Sequence, residues 1–236
     1  KTRIEAITDG LFLRRLQAQL DLPGVACVIF DEFHERRRDS DLALALLREA
    51  RDLLRPDLTV LLMSATLQLG ELSQQFQGAR TLCSEGRSFP VDTLHCPRRN
   101  QESLEQHVFR ALEEELPYLE NERLNSNRPP VVLVFLPGLK EIDRCLRRIR
   151  GANRLKAWET VPLHGQLSLN QQAHALQPCS ATWDGRVVLA TSIAESSLTL
   201  DGIRLVIDTG LSRHTLFDPG TGMEGLVTVP ASLASA

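Results

Sequence analysis

Two adjacent carboxylates and a histidine, Asp31, Glu32 and His34, close an unbroken apolar run, VACVIF, at residues 25–30. A short apolar run rich in β-branched residues suits a strand buried on both faces of a parallel sheet. Ligands of open parallel sheets bind beyond the carboxyl ends of the strands, which is where Asp31 and Glu32 would stand. Hard carboxylate oxygens at such a tip suit a Mg²⁺ ion and the activation of a water that attacks a phosphoryl group. Four further apolar runs end the same way, on polar or glycine residues: LTVLLM (58–63) before Ser64-Ala65-Thr66, VVLVFL (131–136) before Pro137-Gly138, VVLA (187–190) before Thr191-Ser192, and IRLVI (203–207) before Asp208-Thr209-Gly210. Five such tips favour an α/β sheet with one working edge.

Helical patterns alternate with these strands. Residues 40–54 place Leu42, Leu46, Ala50 and Leu53 on one stripe, with Ser40 as the expected N-cap. Residues 139–150 place Leu139, Ile142, Leu146 and Ile149 on one face and Arg144, Arg147, Arg148 and Arg150 on the other. Residues 168–177 begin at Ser168, a second cap. Strand–helix alternation implies right-handed βαβ units. An acidic helical stretch at 102–116 lies between breaker-rich segments at 95–101 and 121–130, the latter expected to be a surface loop. Residues 214–229 read as a β-hairpin turning around Asp218–Gly222.

The chain has 236 residues and a net charge of −3, which excludes a strongly basic nucleic-acid coat but not a local basic groove. No apolar run reaches the roughly 18 residues that span a bilayer, so no membrane partner is expected. Five scattered cysteines without a C-x-x-C pair point to a reducing compartment, the cytoplasm, with Cys27 and Cys145 as small core residues. One Tyr and two Trp make a base-stacking platform a poor fit.

Taken together the motifs resemble the DEAH-box branch of superfamily 2 RNA helicases, and most closely the bacterial HrpB type. Asp31-Glu32-Phe33-His34-Glu35-Arg36 looks like motif II, and Ser64-Ala65-Thr66 like motif III. Thr8-Asp9-Gly10-Leu11 with Arg14 resembles motif Ib. Phe135-Leu136-Pro137-Gly138 resembles motif IV, and Leu163-His164-Gly165 the segment after it. Residues 190–202 resemble motif V almost throughout, with Ser192 where the family usually has Asn. The residues 84–91, SEGRSFPV, and the Phe of DEFH carry the HrpB likeness.

The resemblance implies two RecA-like parallel-sheet lobes with a β-hairpin near the C-terminus of the second. Residues 1–92 would form the C-terminal part of the first lobe, 93–100 a linker, and 101–236 the second lobe. It implies ATP and Mg²⁺ as cofactors. Asp31 and Glu32 would reach the metal largely through water, with Glu32 also the general base, and His34, Ser64 and Thr66 would relay between the nucleotide site and the rest of the machine. Thr199 and Asp201 would approach the nucleotide ribose. Thr8, Gly10, Arg14, Gly138, Gly165 and Thr191 would track the backbone of single-stranded RNA or another nucleic acid. Glycines allow close main-chain approach to phosphate, and Arg supplies charge.

The sequence holds no G-x-x-x-x-G-K-[ST] phosphate loop and no Q-R-x-G-R-x-G-R run. An internal piece of a longer protein, with an incomplete first lobe and no ATPase activity of its own, is therefore expected. Two other functions compete: an RNA-binding scaffold that lost catalysis, and a translocase on DNA. Phosphate contacts do not see the 2′-OH, so the motifs leave RNA and DNA open.

Overall fold

The computed structural model describes residues 2–64, 79–84, 90–126, 128–192 and 200–231. It divides into two compact units, Lys1–Phe89 and Pro90–Ala236.

In the first unit the order is α1 (Asp9–Ala18), β1 (Cys27–Phe30), a 3-10 turn (Phe33–Glu35), α2 (Arg38–Leu53) and β2 (Thr59–Leu62). The strands pair in parallel from Cys27 opposite Thr59 to Phe30 opposite Leu62. Val28 and Phe30 turn inward onto Leu16 of α1 and Ala43, Leu44 and Leu47 of α2. Phe30 meets the rings of Phe12 and Phe33 edge-on, at centroid distances of 5.7 and 6.1 Å. β1 is not buried on both faces as its apolar run suggests: Ile29 is 55% exposed, and Cys27 is exposed rather than a core residue. The described residues cover only the face that carries Val28 and Phe30. Nor is Ser40 the cap of α2. Arg37 takes that position, and Ser40 is buried in the first turn between Asp39 and Asp41, whose charges suit the positive end of the helix.

In the second unit the order is α3 (Leu104–Ser126), β3 (Val131–Phe135), α4 (Leu139–Arg150), a 3-10 turn (Asn153–Leu155), β4 (Trp158–Leu163), α5 (Leu169–Leu176), β5 (Gly185–Ala190) and β6 (Ile203–Asp208). The four strands form one parallel sheet in the order β4-β5-β3-β6. Alternate residues of the two central strands feed two cores. Val132, Val134, Val187 and Leu189 meet Leu112 and Leu116 of α3 and Ile142 of α4 on one face. Val131, Leu133, Val188 and Ala190 meet Ala175 of α5 on the other. Each fully buried Leu or Ile here contributes about 1.5–3 kcal/mol.

β4 does not announce itself in the sequence, because Glu159 and Pro162 break its apolar run. It forms the sheet edge, where Arg150 Nη2 donates to Thr160 O at 2.9 Å and Pro162 has no N–H to offer. Both features blunt an otherwise open edge. α3 runs ten residues past its expected end through Pro117, so much of the expected loop at 121–130 is helical. Burial of Leu119 and remote ion pairs, Arg204 with Glu122 and Arg123 with Asp184, hold that extension. α5 is capped by Ser168, whose hydroxyl accepts from Gln171 N while the Gln171 side chain accepts from Ser168 N. The chain closes with an antiparallel hairpin, β7 (Leu211–Asp218) and β8 (Met223–Pro230).

Candidate functional site

The chemistry of the first unit gathers where β1 and β2 end. Met63 N donates to Phe30 O at 2.8 Å and Phe33 N donates to Met63 O at 3.0 Å, so the two strand tips are zipped together. That brings Asp31, Glu32 and His34 beside Ser64, which follows Met63. Asp31 is exposed, and its Oδ1 accepts from Glu32 N at 2.9 Å. Glu32 stands in the left-handed region, with φ 51° and ψ 38°, and Arg36 likewise at φ 49°. Such a backbone in a residue with a Cβ costs on the order of 1–3 kcal/mol and is characteristic of active sites. Phe33, buried, anchors the turn in the core. His34 Nδ1 lies 3.3 Å from Glu32 Oε2, so a neutral ring can donate there. Thr66 lies outside the described residues.

α1 presents Thr8, Gly10 and Arg14. Thr8 caps the helix through its backbone only: its exposed side chain makes no capping bond, and Thr8 O accepts from Phe12 N at 3.0 Å. Arg14 is exposed and has no acidic partner among the described residues. Its neighbour Arg15 is clamped by Glu5 at 2.7 and 2.9 Å, which holds the Glu5 carboxyl below its usual range. The arginine run 36–38 is not a free basic patch. Arg36 pairs with Asp41 at 3.1 Å, Arg37 with Glu35 at 2.5 Å and Asp9 at 3.6 Å, and Arg38 with Asp39 at 3.6 Å.

In the second unit, Gly138, Gly165 and Thr191 line one edge, the carboxyl ends of β3, β4 and β5. Thr191 N donates to Leu163 O at 3.2 Å, and Leu136 N to Ala190 O at 2.8 Å. Thr209 joins them from β6, its hydroxyl donating to Phe135 O at 2.9 Å. Asp201 is not at this edge. Gly202 O accepts from Val131 N at 3.0 Å, so Asp201 stands at the amino ends of β3 and β6. The length of a strand, about 20 Å for six residues, separates it from Thr191. The sequence-predicted residues Thr191 and Asp201 of the second unit thus stand at opposite ends of its sheet. Thr199 lies outside the described residues.

Sequence reasoning missed Arg213. Its guanidinium, 3.4 Å from Glu141, covers the open side of Gly138, where a Cβ would stand 2.5 Å from Arg213 Nη1. No local signal links the two, because 75 positions separate them. It also missed the orphaned Nδ1 of His164, buried without a hydrogen-bond partner among the described residues beside Gly165. Among the described residues no cluster of three or more His, Cys, Asp or Glu could hold a metal, and no helix is long and apolar enough to cross a membrane.

Residues 107–221 match the helicase conserved C-terminal domain. The chain is 43% identical over 235 residues to the ATP-dependent RNA helicase HrpB of Escherichia coli K12, covering 99% of this chain and 28% of that protein. It is 34% identical over 248 residues to a putative pre-mRNA-splicing factor ATP-dependent RNA helicase of Schizosaccharomyces pombe, covering all of this chain and 36% of that one. The solved structure of E. coli HrpB, described as a DExH-box NTPase, aligns over the whole chain with a TM-score of 0.82 at 41% identity, and the chain covers 28% of it. The chain thus spans about a third or less of the length of the curated relatives it matches.

Proposed function

We propose that this chain, similar from end to end to DExH-box helicases of the HrpB type and carrying a helicase conserved C-terminal domain, is a segment of an ATP-dependent helicase or translocase that moves along nucleic acid, RNA in preference to DNA. The observation that carries the proposal is the strand tip at 31–34. There an exposed carboxylate, a second carboxylate held in a left-handed backbone and a histidine within reach of it share one turn.

Asp31 and Glu32 offer hard oxygen donors. Mg²⁺ is ordinarily held by one or two carboxylates with water and phosphate oxygens, not by a protein cage, so this donor set fits it. When bound with a nucleotide, the ion neutralises phosphate charge. Asp31 and Glu32 would hold it, largely through water. Glu32 takes the proton of the attacking water, and His34 donates to Glu32 and fixes its direction. Ser64 follows the end of β2 and, with Thr66, carries the state of the turn onward. Asp201, with Thr199, accepts from the hydroxyls of the ribose.

The nucleic-acid strand is held by its phosphates. At the start of α1, Thr8 and Arg14 present a hydroxyl and an unneutralised guanidinium, with Gly10, which carries no side chain, between them. Gly138 and Gly165 present backbone without a side chain along one sheet edge, joined by the hydroxyl of Thr191, whose N–H is held by Leu163 O. Trp158 is buried and gives no stacking platform, which supports tracking of the backbone over reading of bases. Five free cysteines support a reducing, cytoplasmic setting. A scaffold without catalysis would have no use for the strained Glu32.

The test is ATP hydrolysis by the intact protein with no nucleic acid, with single-stranded RNA, and with DNA of the same sequence. Stimulation by RNA well above that by DNA is expected. Equal stimulation assigns a translocase indifferent to the sugar, and no hydrolysis at all assigns the scaffold.

A further inference from the structure

Glu35 is the one carboxylate of the DEFHE turn that this mechanism leaves without a task. Its Oε1 is buried with no hydrogen-bond partner among the described residues. Its Oε2 is held by Arg37 Nη2 at 2.5 Å. A carboxylate half out of water with one oxygen unpaired depends strongly on its single cation. The same guanidinium reaches back to α1, where Arg37 Nη1 lies 3.6 Å from Asp9 Oδ2. Asp9 stands between Thr8 and Gly10. Beside this pair, a Cβ on Gly10 would lie 3.4 Å from Asp39 Oδ2, so α1 starts directly against the start of α2. Three residues upstream of Glu35, in the same turn, Glu32 approaches His34.

We infer that Arg37 is a positioning residue that couples phosphate binding at the start of α1 to the geometry of Glu32 and His34. The inference rests on the reading of α1 as a nucleic-acid contact and of Glu32 as the base. A phosphate arriving at Thr8 and Gly10 brings negative charge beside Asp9. It draws the Arg37 guanidinium toward α1, and the attraction is strong because the groups are only a few ångströms apart. Glu35 then loses its compensating cation and must shift. The shift is passed to Glu32 and His34, because the Phe33–Glu35 turn is closed by Glu35 N donating to Glu32 O at 3.0 Å and Arg36 N to Phe33 O at 3.2 Å. Arg37 touches neither nucleotide nor nucleic acid in this scheme. It is 59% exposed, so it adds little to stability, and its removal is tolerable for the fold.

The experiment compares the intact protein with its Arg37→Ala and Arg37→Lys variants. ATP turnover is measured without nucleic acid and across a titration of single-stranded RNA. For Arg37→Ala, unstimulated turnover should stay at the wild-type level and the RNA concentration for half-stimulation should not move. Maximal stimulation should fall roughly 3- to 10-fold, the size one coupling residue carries. Arg37→Lys, which keeps a cation for Glu35, should recover part of it. Asp9→Asn should lower stimulation in the same direction and add little on top of Arg37→Ala. Full stimulation in Arg37→Ala overturns the inference. So does an equal fall of basal and stimulated turnover, which marks a purely structural role, and so does a shift of the half-stimulating concentration alone, which marks a direct phosphate contact. If the unsubstituted protein is not stimulated by nucleic acid, the underlying reading fails and takes the inference with it.

Discussion

Gly185, at the start of β5, is the most demanding small residue in the sheet that carries Gly138, Gly165 and Thr191. It lies opposite Trp158 of the edge strand β4. A Cβ built on it would stand 2.4 Å from one carbon of the Trp158 ring and 2.6 Å from two others. Ordinary carbon contacts are about 3.5–4.0 Å, so the ring would have to retreat by roughly 1 Å. It has no free direction, since Trp158 is 6% exposed and belongs to the core shared with Cys145, Ile149 and Leu155. Overpacking of this kind costs about 1–3 kcal/mol. The backbone of Gly185 is not left-handed, so the alanine recovers about 0.4–1 kcal/mol through the unfolded chain. The expected net loss for Gly185→Ala is therefore about 1–2 kcal/mol, at about 2–4 °C of Tm per kcal/mol. Thermal unfolding followed by circular dichroism reads it. The control is Trp158→Leu, which removes the ring: in that background Gly185→Ala should be neutral or stabilising. An equal cost in both backgrounds, or none in the first, would refute the steric argument.

Glu102 is hydrogen-bonded by the Arg110 guanidinium and by Arg99 N, which hold its carboxyl down at about 2 from 4.5. A lowered folded-state pKa stabilises above the unfolded value and is lost as pH falls from about 4.5 toward about 2. Wild type should therefore exceed Glu102→Gln in Tm at pH 7, and the gap should shrink between pH 5 and pH 3 as roughly the upper half of that window is crossed; a constant gap contradicts the assignment. Burial pushes the Cys145 thiol up to about 12, whereas Cys27 and Cys83 are exposed. Iodoacetamide at neutral pH should label Cys27 and Cys83 and spare Cys145 until the chain is denatured, as peptide mass mapping will report; labelling of native Cys145 at the rate of Cys83 contradicts it.

The five apolar runs became strands because their apolar, β-branched composition is local, although only β3 and β5 are buried almost throughout. α4 begins and ends at Leu139 and Arg150, as its period indicates, since both its apolar stripe and its flanking glycines are local. The misreadings share a different cause. β4 owes its place to neighbours on one side, α3 owes its last turns to Arg204 and Asp184, and Cys27 is exposed because one face of β1 is uncovered among the described residues. None of these is written within a window of the sequence. The site divides in the same way. Asp31, Glu32 and His34 follow from a strand and the turn after it. The guanidinium of Arg213 over Gly138, the bridge of Arg37 and the placement of Asp201 at the far end of the sheet are tertiary facts.

The central claim is that Glu32 is the base of an ATP-hydrolysing site. Glu32→Gln in the intact protein keeps size and polarity and removes the charge and the capacity to take a proton. ATP affinity, read with a fluorescent nucleotide, should be unchanged, while RNA-stimulated turnover should fall roughly 10²- to 10⁴-fold. Turnover near the wild-type rate with intact ATP binding would contradict the assignment of Glu32 and the reading of the strand tip built on it.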